Sequence, residues 1–161
     1  MSGIVGSPGS KSGVIGSAGT IGYEEGAWTP SIGTSSTHGS NTIGLYSDVV
    51  GKYVKIGRVV RCNWSCRRND SGTWSSGALY LRNLPFKSST ISNLIGSTWL
   101  DPGSGDGYKC FLYMPGSQNY ALFSHGSTDS DASRYVTPPD TYWANGWYMN
   151  GALTYEVLLK S

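Results

Sequence analysis

Between Val59 and Arg67 the run VVRCNWSCR alternates without a break. Val60, Cys62, Trp64 and Cys66 fall on one side, and Val59, Arg61, Asn63 and Ser65 on the other. A period of two matches the pleat of a half-buried β-strand, whereas a helix would scatter these side chains around its axis. The chain closes on the same signature, with Leu153, Tyr155, Val157 and Leu159 alternating against Thr154, Glu156 and Leu158. ALYLRNL from Ala78, KCFLYM from Lys109 and NYALFS from Asn119 are strand-like as well, and a Pro-Gly pair between Met114 and Asn119 suits a hairpin turn. Asn145-Gly146 and Asn150-Gly151 add turn signals, of which only one need be a hairpin. STISNLIGSTWL from Ser89 fits neither period cleanly and is read as a strand. No segment carries an uninterrupted helical pattern. With 23 Gly, 11 Tyr, 6 Trp and 14% charged residues, the chain reads as all-β: many short strands joined by glycine-bearing turns. The expected fold is a single β-sandwich, jelly-roll or Greek-key-like, and the absence of βαβ spacing argues against parallel α/β.

A length of 161 residues bounds the fold to one ordinary domain. Its first 22 residues differ in character from the rest. This Gly/Ser-rich stretch has no aromatics and repeats itself, GIVGS from Gly3 recurring as GVIGS from Gly13. Two apolar pairs cannot offset a backbone ordering cost of roughly 1–2 kcal/mol per residue. The expectation is an extended anchoring arm over residues 1–22 and a β-sandwich over 23–161. Ile4, Val5, Val14 and Ile15 are the candidate partner-binding side chains, seated in apolar grooves or added as a strand to a sheet edge.

The formal net charge is +2 and the basic residues are scattered, apart from Arg67 and Arg68, which argues against nucleic-acid binding. No run approaches the ~20 apolar residues of a membrane span, and no secretory signal pattern opens the chain, so assembly inside a cell without membrane insertion is expected. Cys62 and Cys66 lie about 13 Å apart along a strand, beyond the ~7 Å Cα limit of a disulfide. Cys110 is the alternative partner across a sheet, but three buried free thiols are the favoured reading.

His38 and His125 sit among Gly and Ser, and no nucleophile elbow accompanies His125 and Asp129, so no catalytic residue is assigned and the chain is read as non-enzymatic. DPGSGDG from Asp101 and DSDAS from Asp129 offer oxygen ligands for calcium, yet solvated turn aspartates are commoner, and neither metal nor cofactor is expected. The sequons at Asn63 and Asn69 are read as chance. YWANGWY gathers Tyr142, Trp143, Trp147 and Tyr148 around a turn. Exposed, they would stack on the sugar rings of a host glycan or form a protein hot spot; buried, they would line core and subunit interface, the reading favoured here.

Three phrases occur in order: YEEGAWTP from Tyr23, YSDVVGKYVKIGRVV from Tyr46 and GALYLRNLPFKSS from Gly77. Together with the closing LTYEV from Leu153 they resemble the C-terminal β-domain of tailed-phage tail-fibre and related virion surface proteins. The residues carrying the resemblance have architectural roles. Trp28 would bury a large area with its indole N–H satisfied locally, and Pro30 suits a strand end. Gly51 and Gly57 bracket a strand in which Tyr53 and Lys55 share one face and Val54 and Ile56 the other. Pro85 would end a strand and set Phe86 as a plug. The resemblance implies a symmetric homo-oligomer, commonly a trimer, assembled in the host cytoplasm and placed on the virion exterior against other virion proteins of capsid or tail. A single domain with a short arm suits a capsid decoration protein, a short head fibre or a small tail part. The rival reading is a tail-fibre or tail-associated receptor-binding tip that recognises host cell-surface glycan through Trp143, Trp147 and the loop around Asp129.

Overall fold

In the computed structural model, residues 22–34, 42–69, 78–90, 93–101, 107–124 and 145–158 are described. Ile4, Val5, Val14, Ile15, His38, His125, Asp129, Tyr142 and Trp143 lie outside them. Nine strands follow one another: β1 (Tyr23–Trp28), β2 (Ser31–Gly33), β3 (Val50–Ile56), β4 (Val59–Arg67), β5 (Tyr80–Arg82), β6 (Asn93–Asp101), β7 (Tyr108–Met114), β8 (Ala121–Ser124) and β9 (Tyr148–Glu156). They form one antiparallel sheet in the order β1-β3-β4-β9-β6-β7-β8-β5-β2. Three consecutive strands, β6, β7 and β8, lie side by side, and β9 returns beside β6, which is the Greek-key order.

The connection between β1 and β2 dictates the sheet's shape. They occupy opposite ends of the ladder, yet only Thr29 and Pro30 separate them. Three virtual bonds span at most about 11 Å, whereas the edges of a flat nine-stranded sheet would lie about 38 Å apart. The sheet therefore curls until its two edges approach. Pro30 sits buried at that corner, where a missing N–H breaks no ladder bond. Asn83, just past β5, donates from Nδ2 to the Thr29 carbonyl at 3.3 Å and ties the seam.

The core fills the inside of the curl. Val60, Cys62, Trp64 and Cys66 are all buried, as their alternation predicts. One inner row runs Trp28, Gly51, Trp64, Gly151 across β1, β3, β4 and β9, alternating the largest and smallest side chains. A Cβ on Gly51 would fall 2.7 Å from Trp28 Nε1, and one on Gly151 would fall 2.6 Å from Trp64 Nε1. Among the described residues neither Trp28 Nε1 nor Trp64 Nε1 has a hydrogen-bond partner, so the local partner expected for the Trp28 indole is not found there. Each orphaned N–H costs about 1–3 kcal/mol. Burying ~200 Å² of indole at ~25 cal/mol/Å² contributes about 5 kcal/mol, so burial wins.

The turns divide the two Asn-Gly signals. Asn145-Gly146 is a turn, with Gly146 at φ 86°, while Asn150-Gly151 runs inside β9 because Trp64 needs the space. Gly57 opens the two-residue β3–β4 loop at φ 58°, the sign a type II′ hairpin requires there. The ambiguous segment from Ser89 contributes β6. Its ladder shifts register between Leu94 and Gly96, and that bulge breaks the period of two.

Phe86 meets Tyr53 edge-on at 5.3 Å, takes the Lys55 ammonium over its ring and packs half-buried against the core, but β5 already ends at Arg82, where Asn83 takes φ 63°, so Pro85 lies in the bend beyond the strand and does not end it. Cys62, Cys66 and Cys110 are buried and free. Arg68 and Arg82 are also buried, which nothing in the sequence announced. Arg82 Nη2 donates to Ser31 Oγ, the Ile32 carbonyl and Thr42 Oγ1 at 3.2, 3.1 and 2.8 Å, stapling β5 to β2 and to the segment beyond it.

Candidate functional site

The outer face of the curl carries two different surfaces. The first begins at Arg67, the last residue of β4. Beyond it the chain is held on both sides: the Tyr46 N–H donates to the Arg67 carbonyl at 2.9 Å, the Gly146 N–H to the Arg68 carbonyl at 2.8 Å and the Arg68 N–H to the Trp147 carbonyl at 3.1 Å. These bonds bring Tyr46 and Tyr148 to either side of one cation. The Arg67 guanidinium carbon lies 4.6 Å from the Tyr46 ring centroid and 5.2 Å from that of Tyr148, while Nε donates to the Gly146 carbonyl at 2.9 Å. With Nε engaged and two rings within cation–π distance, the guanidinium is restrained.

From this clamp a diagonal of aromatics crosses the sheet. Tyr148 is the ladder partner of Arg67 and of Asp101, Trp99 of Asn150 and Lys109, and Phe111 of Ser97 and Ser124. Tyr148, Trp99 and Phe111 are thus diagonal neighbours on β9, β6 and β7, at about 7–8 Å per step. Tyr46, Tyr148, Trp99 and Phe111 are exposed by 38%, 38%, 47% and 38%. Between them stand Asp101, Asn150, Ser97 and Lys109, with the Lys109 ammonium 5.8 Å from the Phe111 centroid.

The second surface is aliphatic and lies at the β1 edge. Tyr23, Ile56 and Val59 are consecutive partners across β1, β3 and β4, and Val54 stands one row behind. All four are exposed. Charged groups frame them: Tyr23 donates its hydroxyl to Glu25 at 2.6 Å, and Arg58 pairs with Glu156 at 3.4 Å. Among the described residues β1 pairs only with β3.

No protein-family model, curated protein or solved structure matches the chain.

Of the aromatics around Asn145-Gly146, Trp147 is half-buried and packs against the core while Tyr148 is exposed beside Arg67. Trp28, Gly51, Tyr53, Pro85 and Phe86 lie on the inner face, at the seam or in a bend, away from both surfaces, whereas Gly57 is in the turn that joins Ile56 to Val59 at the aliphatic surface. Sequence reasoning missed Arg67, Tyr46, Trp99 and Phe111. In KCFLYM the residues on both faces are largely apolar, so parity could not assign Phe111, and the β6 bulge hid that of Trp99. The thiols offer poor nucleophiles. Burial pushes Cys62 up to about 12 and Cys110 up to about 11, leaving both protonated at neutral pH. Among the described residues no group of His, Cys, Asp and Glu is arranged to hold a metal, and no helix is long and apolar enough to cross a membrane.

Proposed function

We propose that this protein is a non-enzymatic structural component of a tailed-phage particle, a homotrimeric capsid decoration or short head-fibre protein anchored on other virion proteins by its N-terminal arm. The observation that carries the reading is the exposed strip of Tyr23, Ile56, Val59 and Val54 beside β1, which among the described residues ends the ladder, immediately where residues 1–22 join the domain. Stable interfaces bury about 800 Å² per partner, more than four side chains supply. The arm, with Ile4, Val5, Val14 and Ile15, is the natural complement. Symmetric closure would also cover an edge that otherwise templates aggregation. The resemblance of the Tyr23, Tyr46 and Gly77 phrases to virion surface domains supports the same reading. So does the curl of the antiparallel sheet, in which Trp64 of β4 meets Phe123 of β8 edge-on at 6.1 Å.

Sedimentation of the full chain tests the assembly. A trimer that becomes a folded monomer on deleting residues 2–17, or in the Ile56→Lys, Val59→Glu double variant, is the expected result. A full chain that stays monomeric at tens of micromolar would reject it. Addition of purified trimer to particles lacking the protein, followed by density mapping, distinguishes capsid from tail.

The aromatic diagonal favours a second reading, a tail-associated tip that recognises host surface glycan. Binding on a glycan array supports it, and an array without hits removes it.

A further inference from the structure

We infer that the Arg67 clamp and the diagonal beyond it form a binding site for an acidic saccharide, whose carboxylate sits on the free edge of the Arg67 guanidinium while neighbouring sugar rings lie on Trp99 and Phe111. The inference rests on the receptor-binding reading and names the ligand chemistry of that surface.

Three observations carry it. Arg67 uses Nε on the Gly146 carbonyl and lies within cation–π distance of Tyr46 and Tyr148, and among the described residues no carboxylate pairs with it and no acceptor takes its Nη groups. A guanidinium held in this way keeps its two-pronged Nη edge for one planar anion, and little freedom remains to be lost on binding. Secondly, among the described residues Arg67 forms no ion pair, and its neighbours across the adjoining segments are the uncharged Tyr46 and Tyr148. Asp101, the nearest acid along that ladder row, is two strands away, about 10 Å, with Tyr148 between them. Ser65, two residues back on the same face of β4, is uncharged.

The third observation separates a saccharide from a protein. The strip at the β1 edge places apolar side chains directly opposite one another, as a dry protein contact requires. On the diagonal each exposed ring instead stands next to a hydrogen-bonding group: Asp101 and Arg67 beside Tyr148, Asn150 and Lys109 beside Trp99, Ser97 and Ser124 beside Phe111. A line of partly exposed rings alternating with donors and acceptors suits a chain of pyranose rings, each with an apolar face and a hydroxylated rim.

The experiment screens the full chain on an array of sialylated, uronate-bearing and neutral glycans. The strongest acidic glycan and its methyl ester are then titrated calorimetrically, with sodium acetate and an acidic peptide as further probes. Retention of acidic glycans is expected, with about ten- to hundredfold weaker binding by the methyl ester and by Arg67→Gln, the range for one charge-assisted contact. Trp99→Ala should weaken acid and ester alike. Arg61→Gln, an outer-face change outside the site, should leave binding intact. If Arg67→Gln melts early, Arg67→Lys keeps the charge, loses the fork and reads the same loss. Equal binding of ester and acid, or undiminished binding by Arg67→Gln, overturns the inference and leaves the glycan reading standing. An array with no hits overturns both. Binding of acetate or the peptide alone reassigns the clamp to a free carboxylate or to a protein partner and overturns the saccharide.

Discussion

Trp64 covers Gly151, its ladder partner on β9, so closely that a single added methyl group would fall 2.6 Å from the indole Nε1. The glycine is there for what it lacks. A bare backbone on β9 lets the largest side chain of β4 lie along the sheet and reach Phe123, and Trp28 repeats the arrangement on Gly51. Among the described residues neither indole N–H has a partner, so the pairing rests on contact area.

Gly151→Ala should therefore destabilise the fold by about 1–3 kcal/mol, the range for overpacking a filled core. In a Trp64→Leu background the same change should cost under about 0.5 kcal/mol, because the clash has been removed. Urea midpoints of the four proteins provide the cycle, and equal costs in both backgrounds would refute the contact.

Gly57 answers a different demand. Its φ of 58° is costly for a residue with a Cβ, so Gly57→Ala should lose about 1 kcal/mol and Gly57→Asn distinctly less, since Asn tolerates the left-handed region. Thermal melts of the two variants rank them.

Arg82 gives the largest single-site effect. Arg82→Met removes the donor to Ser31, Ile32 and Thr42 and leaves buried acceptors unpaired, at about 3 kcal/mol or more. Arg82→Lys should recover only part of that, because an ammonium does not reproduce the guanidinium fork. Denaturant titration reads both.

Stability should fall with alkali. Burial holds the Cys62 thiol at about 12 and the Cys110 thiol at about 11 against an ordinary value of 9.0, and raises Tyr155 as well. Below pH 9 folded and unfolded chains both keep these protons, so the thiols contribute no pH slope. Above it the unfolded chain releases protons that the folded chain retains, and stability declines through pH 11–12. Urea midpoints at pH 7, 9 and 10.5 should be flat, then falling. At pH 8 the three cysteines should react with a thiol reagent only on unfolding, and fast labelling of the native protein would contradict their burial.

How much was legible in the sequence depends on how local the cause was. The alternation of Val60, Cys62, Trp64 and Cys66 and of Leu153, Tyr155 and Val157 was readable because pleating needs no knowledge of partners. β6 was nearly lost because a bulge at Leu94–Gly96 shifts the pattern, and a bulge is set by the neighbouring strand. Val54 and Ile56 look like core side chains, yet Tyr53 and Lys55 take the inner side of β3, where Phe86 receives both. That choice belongs to the partner residue.

The candidate site was the least legible part. Tyr46, Arg67, Trp99, Phe111 and Tyr148 come from separate segments, and only the ladder order β4-β9-β6-β7 aligns them. By itself the sequence determined the all-β class, the alternating strands β4 and β9 and the burial of the thiols, all consequences of local geometry and side-chain polarity, while it left open which Asn-Gly pair turns and did not announce β1 or β2 as strands. Tertiary structure alone decided that β1 and β2 close a curled sheet, that Trp64 rests on Gly151 and that Arg67 sits between two tyrosines. Each of those depends on which strand lies next to which, information that pairwise hydrogen bonding supplies and a linear pattern does not.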